Sequence, residues 1–198
     1  MSHFLLSVLP VTFALVLIAS ASASGREASA IMRSPLFDLE GRRVDPFRDS
    51  TAKLMVFVFV RTDCPISNAY APEVQRLQKD FTPLGAVFRL VYPGGHESSE
   101  TIRTHLRAFG YSCEAFRDPL CAFAKRSKVG VVSEAAVFRP DGMLLYHGRI
   151  DDRYVDFGKA RPQASKRDLA GALAQALAGE PVTPASGPAV GCFIEEAK

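Results

Sequence analysis

Four cysteines, Cys64, Cys113, Cys121 and Cys192, carry the most distinctive chemistry in this 198-residue chain. None belongs to a Cys-x-x-Cys pair, so the sequence offers neither a zinc finger or ribbon nor covalent c-type haem, and no metal or other cofactor is expected. Cys64 stands apart by its setting. It follows Arg61-Thr62-Asp63 and precedes Pro65, after which Ile66, Tyr70, Val74, Leu77 and Phe81 recur at the spacing of one helix face. Proline suits a first helical turn, where its missing N–H removes no bond, so Cys64 falls at a helix start. Free N–H groups and aligned peptide dipoles there favour an anion, and the thiolate is the form that attacks disulfides and peroxides. The plain alternative is a small buried thiol plugging the junction. The helix start predicts a partly accessible, reactive sulfur.

The other candidates are read against Cys64. Ser67, three residues on, can donate a hydrogen bond to a thiolate but cannot close a disulfide, so a dithiol shuttle inside this motif is excluded. Cys192 lies in a Gly- and Pro-flanked tail. About 12 residues between Gly179 and Cys192 reach up to roughly 40 Å when extended, enough to meet Cys64 as a resolving thiol, although a bond to another molecule or a free thiol stays open. Cys113 and Cys121, eight apart, are equally compatible with a disulfide and with two separate thiols. Asp151-Asp152, in a run with Arg149, Arg153, Asp156, Lys159 and Arg161, reads as a salt-bridged loop rather than a pair of catalytic carboxylates. His96, His105 and His147 share no ligand spacing and are expected at the surface or on a strand edge.

The elements that position these residues follow from pattern. Residues 37–44 form two short extended pieces around a Glu-Gly turn. Residues 54–60, Leu-Met-Val-Phe-Val-Phe-Val, are a continuous apolar run suited to a strand buried on both faces. A helix follows Cys64, kinked at Pro72. Then come a strand at 86–92, a helix at 98–109 stopped by Gly110, a short strand at 115–117 and a helix from 119 to about 128. Strands 134–139 and 143–148 close a hairpin around Pro140-Asp141-Gly142. Ser165-Lys166-Arg167-Asp168 reads as a capping box before a last helix ending at Gly179, and the tail 181–198 as mostly irregular. The fold class is α/β: a central mixed sheet flanked by helices, with a closing β-hairpin and a C-terminal helix. A single domain is expected over 30–180.

Residues 1–23 form an apolar run ending in alternating Ala and Ser, which reads as an export signal cleaved after Ala21 or Ala23, with an uncleaved anchor as the alternative. The domain is therefore expected outside the cytoplasm, periplasmic or extracellular, with no membrane span once the signal is removed, and in a compartment where disulfides persist. A net charge of +3, with 24 Lys and Arg spread along the chain, argues against nucleic acid as a partner.

The segment from Phe59 to Pro72 resembles the active-site segment of thioredoxin-like proteins, in which a cysteine begins the helix and a proline eight residues later kinks it. Thr62-Asp63-Cys64-Pro65-Ile66-Ser67-Asn68 followed by Tyr70-Ala71-Pro72-Glu73, with Tyr146-His147-Gly148-Arg149-Ile150-Asp151-Asp152-Arg153-Tyr154 downstream, is similar to exported redoxin-type domains of the peroxiredoxin-related branch. The resemblance covers about residues 35–194. It implies a thioredoxin-like fold and a thiol-dependent redoxin acting on a disulfide-bearing protein or a small peroxide, regenerated by an external thiol reductant. In related peroxidases a Thr stands three residues before the cysteine; Arg61 is there in this chain, leaving Thr62 to supply the hydroxyl and Arg61 or Arg149 to stabilise the thiolate. The family's usual proline before the strand at 134 is Ser133, which predicts an ordinary trans path for that loop. A non-enzymatic binding scaffold and an accessory domain of an electron-transfer assembly are the alternatives to a redoxin.

Overall fold

The computed structural model describes residues 35–49 and 51–195. The leader read at residues 1–23 lies outside the described residues, as do residues 30–34 of the expected domain. In chain order the strands and helices are β1 (Leu36–Phe37), β2 (Arg43–Val44), β3 (Leu54–Phe59), α1 (Pro65–Ala69), α2 (Ala71–Phe81), β4 (Ala86–Pro93), α3 (Ser99–Ala108), β5 (Glu114–Asp118), α4 (Ala122–Arg126), β6 (Glu134–Phe138), β7 (Leu144–Arg149), β8 (Tyr154–Asp156), β9 (Lys159–Ala160) and α5 (Asp168–Ala178). Seven strands form one mixed sheet in the order β2-β1-β5-β4-β3-β6-β7. β3, β4 and β5 run parallel, each joined to the next through a helical crossover, and β6 and β7 add antiparallel beyond β3.

β3 explains why the sheet has helices on both sides. All six of its residues are buried. Leu54, Val56 and Val58 pack in one cluster with Ile66, Tyr70, Val74, Leu77, Ile102, Leu169 and Leu173, from α1, α2, α3, α5 and the Tyr70 junction. Met55, Phe57 and Phe59 pack in the other with Phe116, Phe123 and Phe138. The two-residue period of a strand splits the apolar run between two cores, as its unbroken hydrophobicity predicts. The helix after Cys64 breaks at Tyr70, between α1 and α2, because Pro72 has no N–H to offer the turn before it.

Three expectations change. The helix read at 119–128 is only Ala122–Arg126: Pro119 and Leu120 are spent in a turn, Cys121 takes φ 52°, and the Ala124 N–H is capped by Asp118 Oδ2 at 2.8 Å. The capping box at Ser165 does not form, since the Ser165 hydroxyl donates to Asp152 Oδ2 at 2.5 Å and Arg167 takes the N-cap position without a side-chain bond. The 149–161 loop contains a small hairpin, β8–β9. Within that region Asp151 accepts from the Tyr70 hydroxyl at 2.7 Å, tying the loop to the helix break. Asp152 accepts from Ser165 N–H at 2.7 Å and Lys166 N–H at 2.9 Å and pairs with Arg161 at 3.5 Å, so both carboxylates brace the loop.

The Ser165 hydroxyl, with the Lys166 and Ser165 amides and Arg161, pulls the Asp152 carboxyl down to about 2. A depressed folded-state value means that this stability is present above the unfolded value of about 4 and is lost as pH falls toward 2. Asp152→Asn should lower the urea midpoint at pH 7 by the equivalent of about 1–3 kcal/mol, the range for hydrogen bonds to a charged group. The loss should shrink in measurements at pH 3; an equal loss at both pH values would assign the effect to shape rather than charge.

Candidate functional site

Cys64 lies just beyond the C-terminal end of β3, where Val60 to Asp63 turn the chain into α1. It is the N-cap residue, with extended backbone at φ −91° and ψ 110°, and its carbonyl accepts the Asn68 N–H at 3.0 Å. It is fully buried, not partly accessible as its position predicts. The cover is the C-terminal tail.

That tail forms one short bridge across the 130–133 loop. Val132 N–H donates to the Cys192 carbonyl at 2.9 Å, Ile194 N–H donates to the Gly130 carbonyl at 3.0 Å, and Val131 and Phe193 form an antiparallel bridge. The approach is so close that a Cβ on Gly191 would sit 1.9 Å from the Val132 carbonyl oxygen, so only glycine passes. Ser133 meets it with φ 76°, its peptide trans, its N–H on the Phe59 carbonyl at 2.7 Å and its hydroxyl shared between the Val132 and Val190 carbonyls. The result is a sulfur pair. Cys192 Sγ lies 2.7 Å from Cys64 Sγ, both of them free thiols, across 128 residues of sequence. Burial, and then the neighbouring Cys64, push the Cys192 thiol above its ordinary value.

Among the candidate cations, Arg61 is the one beside the pair. Asp63 grips its guanidinium at 2.6 and 3.1 Å and, with the two nearby sulfurs, strengthens its hold on the proton; its Nη1 donates to the Phe193 carbonyl at 3.5 Å. Arg149 is taken up elsewhere, by Asp168 at 2.8 Å and the Ser186 hydroxyl at 2.6 Å, where it secures the tail after α5. Ser67 is buried and its Oγ accepts the Arg61 N–H at 3.3 Å, so it fixes the turn before Cys64. Thr62 donates its N–H to Glu97 Oε1 at 2.5 Å, and its carbonyl accepts from Asn68 Nδ2 at 2.9 Å.

One residue expected at the surface is a correction. His105 is buried, bonded through Nε2 to Asn68 Oδ1 and through Nδ1 to the Tyr92 hydroxyl, both at 2.8 Å. Asn68 Nδ2 is already a donor, so Oδ1 accepts from His105 Nε2–H and Nδ1 accepts from Tyr92; burial keeps the ring neutral by lowering its pKa. A buried polar chain thus runs from β4 to the turn that carries Cys64. The helical spacing of His105 with Ile102 is the signal that could have found it. His96 and His147 are exposed as expected. Cys113 and Cys121 are separate thiols: burial pushes Cys113 up to about 11, and Cys121 donates to the Glu195 carbonyl at 3.2 Å. Among the described residues no group of three or more His, Cys, Asp or Glu could hold a metal ion.

A sheet of this order, with the thiol at the end of an interior strand on a proline-kinked helix, defines the thioredoxin-like fold. The chain is similar over 82% of its length, and 90% of the other, to a hypothetical protein from Sinorhizobium meliloti, with a TM-score of 0.70 and 20% identity. It is similar to an uncharacterized conserved protein from Geobacillus kaustophilus at TM-score 0.66 and 22% identity, covering 83% of this chain and 90% of that one. A thioredoxin-like protein from Aeropyrum pernix matches at TM-score 0.52 and 14% identity over 64% of this chain and 89% of that one. No protein-family model and no curated protein matches the chain. The chain has the thioredoxin-like fold.

Proposed function

We propose that this protein is an exported thiol–disulfide oxidoreductase whose redox pair is Cys64 and Cys192. The observation that carries the reading is the 2.7 Å approach of the two sulfurs. In the cycle, the Cys64 thiolate attacks a disulfide of a partner protein, forming a mixed disulfide and releasing the first partner sulfur as a thiolate. Cys192 then gives up its proton and attacks Cys64 Sγ, forming the Cys64–Cys192 bond and releasing the second partner sulfur. Two electrons pass from the cysteine pair to the partner, and an external dithiol restores the pair by the reverse exchange. The roles are assigned by position: Cys64 is the N-cap residue of α1 beside Arg61, as an attacking thiol requires, and Cys192 reaches it from the tail as the resolving thiol. Export rests on the leader read at residues 1–23, and N-terminal sequencing of the mature protein tests it.

Peptide mapping of the non-reduced protein tests the pair. A Cys64–Cys192 peptide is expected; Cys192 joined to Cys113 or Cys121, or alkylated beside an oxidised Cys64, would remove it as the resolving thiol. Arg61 offers a second test. In the Cys192→Ser background, Arg61→Met should slow alkylation of Cys64 at pH 7 by about 3- to 10-fold, because a nearby cation favours the thiolate. Arg149→Met should leave that rate unchanged, and equal slowing by both variants would refute the assignment to Arg61.

A further inference from the structure

The turn that carries Cys64 is gripped from two sides at Thr62. Its carbonyl accepts from Asn68 Nδ2 at 2.9 Å, a bond from within α1, and its N–H donates to Glu97 Oε1 at 2.5 Å. The other backbone ties of this turn are local: Arg61 N–H to Ser67 Oγ at 3.3 Å, Cys64 N–H to the Arg61 carbonyl at 3.3 Å, and Asn68 N–H to the Cys64 carbonyl at 3.0 Å. Among these bonds, the one to Glu97 alone reaches beyond residues 61–68. Glu97 is itself firmly placed. Before it, Gly94 turns the chain out of β4 with φ 88° and donates its N–H to the Asp118 carbonyl at 2.9 Å; after it, Ser98 caps α3 by accepting the Thr101 N–H at 3.1 Å. Glu97 Oε2 is enclosed and has no hydrogen-bond partner among the described residues. Burial therefore works against the charge of this carboxylate, Thr62 and then Arg61 favour it, and Asp63 opposes it. An enclosed carboxylate with an unmatched oxygen is a costly way to fill space, and the contact it makes is to the turn two residues before the attacking sulfur.

We propose that Glu97 is a positioning residue for Cys64, fixing through the Thr62 N–H the turn that sets the sulfur at the start of α1. The inference rests on Cys64 being the attacking thiol. Glu97 acts on the sulfur through Thr62: the Cys64 N–H returns to the Arg61 carbonyl, so the 61–64 turn is closed and a shift at Thr62 is passed on to Cys64. Stabilisation of an anion by a helix start is confined to its first turn, and a reacting group misplaced by about 1 Å can lose roughly 100-fold in rate. The charge of Glu97 works in the opposite sense, because a nearby negative charge disfavours a thiolate. Position and charge therefore predict opposite responses when one is altered without the other.

Reaction of Cys64 with glutathione disulfide separates them, followed by peptide mass spectrometry in the full chain carrying Cys192→Ser, at pH 8 and well below the unfolding transition. The Cys64 thiolate attacks one sulfur of glutathione disulfide, the Cys64–glutathione bond forms, and the other glutathione leaves as a thiolate. Glu97→Asp keeps the charge but draws the acceptor back by one carbon–carbon bond, about 1.5 Å, out of reach of the Thr62 N–H. It should slow the reaction about 10-fold. Glu97→Gln keeps an oxygen on the Thr62 N–H and removes the charge, so it should react at the rate of the Cys192→Ser protein or up to about 3-fold faster. Hydrogen exchange at the Thr62 amide should be at least about 10-fold faster in Glu97→Asp than in Glu97→Gln. An unchanged rate in Glu97→Asp, or equal slowing by both variants, would overturn the positioning role and leave Cys64 as the attacking thiol. Absence of any glutathione bond to Cys64 in the Cys192→Ser protein itself would overturn both.

Discussion

Cys192→Ser should halt turnover without blocking the first step of the reaction. With a disulfide-bearing protein as substrate, the variant should accumulate one equivalent of mixed disulfide on Cys64 and then stall, because the only thiol touching Cys64 Sγ has gone. An intramolecular thiol in contact acts at an effective concentration far above the millimolar level of an external one, so steady-state turnover should fall about 100-fold or more. Cys64→Ser should abolish both the mixed disulfide and turnover. Mass spectrometry of the trapped species separates the two variants. Undiminished turnover by Cys192→Ser would mean that an external thiol resolves the mixed disulfide, and that the tail serves only as cover.

The parts of the fold that were legible are those governed by local chemistry. The run at 54–60 announced β3 because a strand packed on both faces leaves no room for polar residues, and the Pro140-Asp141-Gly142 turn announced the β6–β7 hairpin. Cys64 was legible for the same reason: Pro65 and the apolar spacing after it locate a helix start whatever lies elsewhere. Failures occurred where a residue's partner lies far along the chain. Ser165 has the composition of a cap, but Asp152, 13 residues earlier, takes its hydroxyl. His105 sits in a helix whose sequence is mostly polar, and only the tertiary approach of Tyr92 and Asn68 makes burial of its ring tolerable.

The site shows the same limit more sharply. Arg61 and Arg149 are equivalent in the sequence as cations for the thiol, and only the fold distinguishes them, because Asp168 and Ser186 occupy Arg149. Cys192 was within reach of Cys64 by length alone, but reach does not specify contact. Gly191 specifies it, because the tail can lie against the Val132 carbonyl only where no side chain intervenes. The buried state of Cys64 follows from the same contact and was invisible from position within the helix.

The largest loss of stability is expected from Phe57→Ala. Phe57 is fully buried in β3, seven residues before Cys64, with its ring edge-on to Phe123 at 4.7 Å, Phe138 at 5.8 Å and Phe47 at 5.9 Å. Truncation removes those contacts and leaves a cavity that β3, paired to β4 on one side and β6 on the other, cannot collapse to fill. The expected cost is about 3–5 kcal/mol, large against the roughly 5–15 kcal/mol that hold a domain folded, and for a chain of this size corresponds to a fall in Tm of about 6–20 °C. The cavity opens toward α4, on the side of the sheet opposite Val58 and Tyr70, so the turn from Val60 to Cys64 keeps its packing. Thermal unfolding should therefore show the full loss, while the rate of Cys64–Cys192 bond formation well below the transition stays within about 2-fold of the parent protein. A clear fall in that rate would show that the two cores are coupled through β3, and that the sulfur pair depends on the phenylalanine cluster across the sheet.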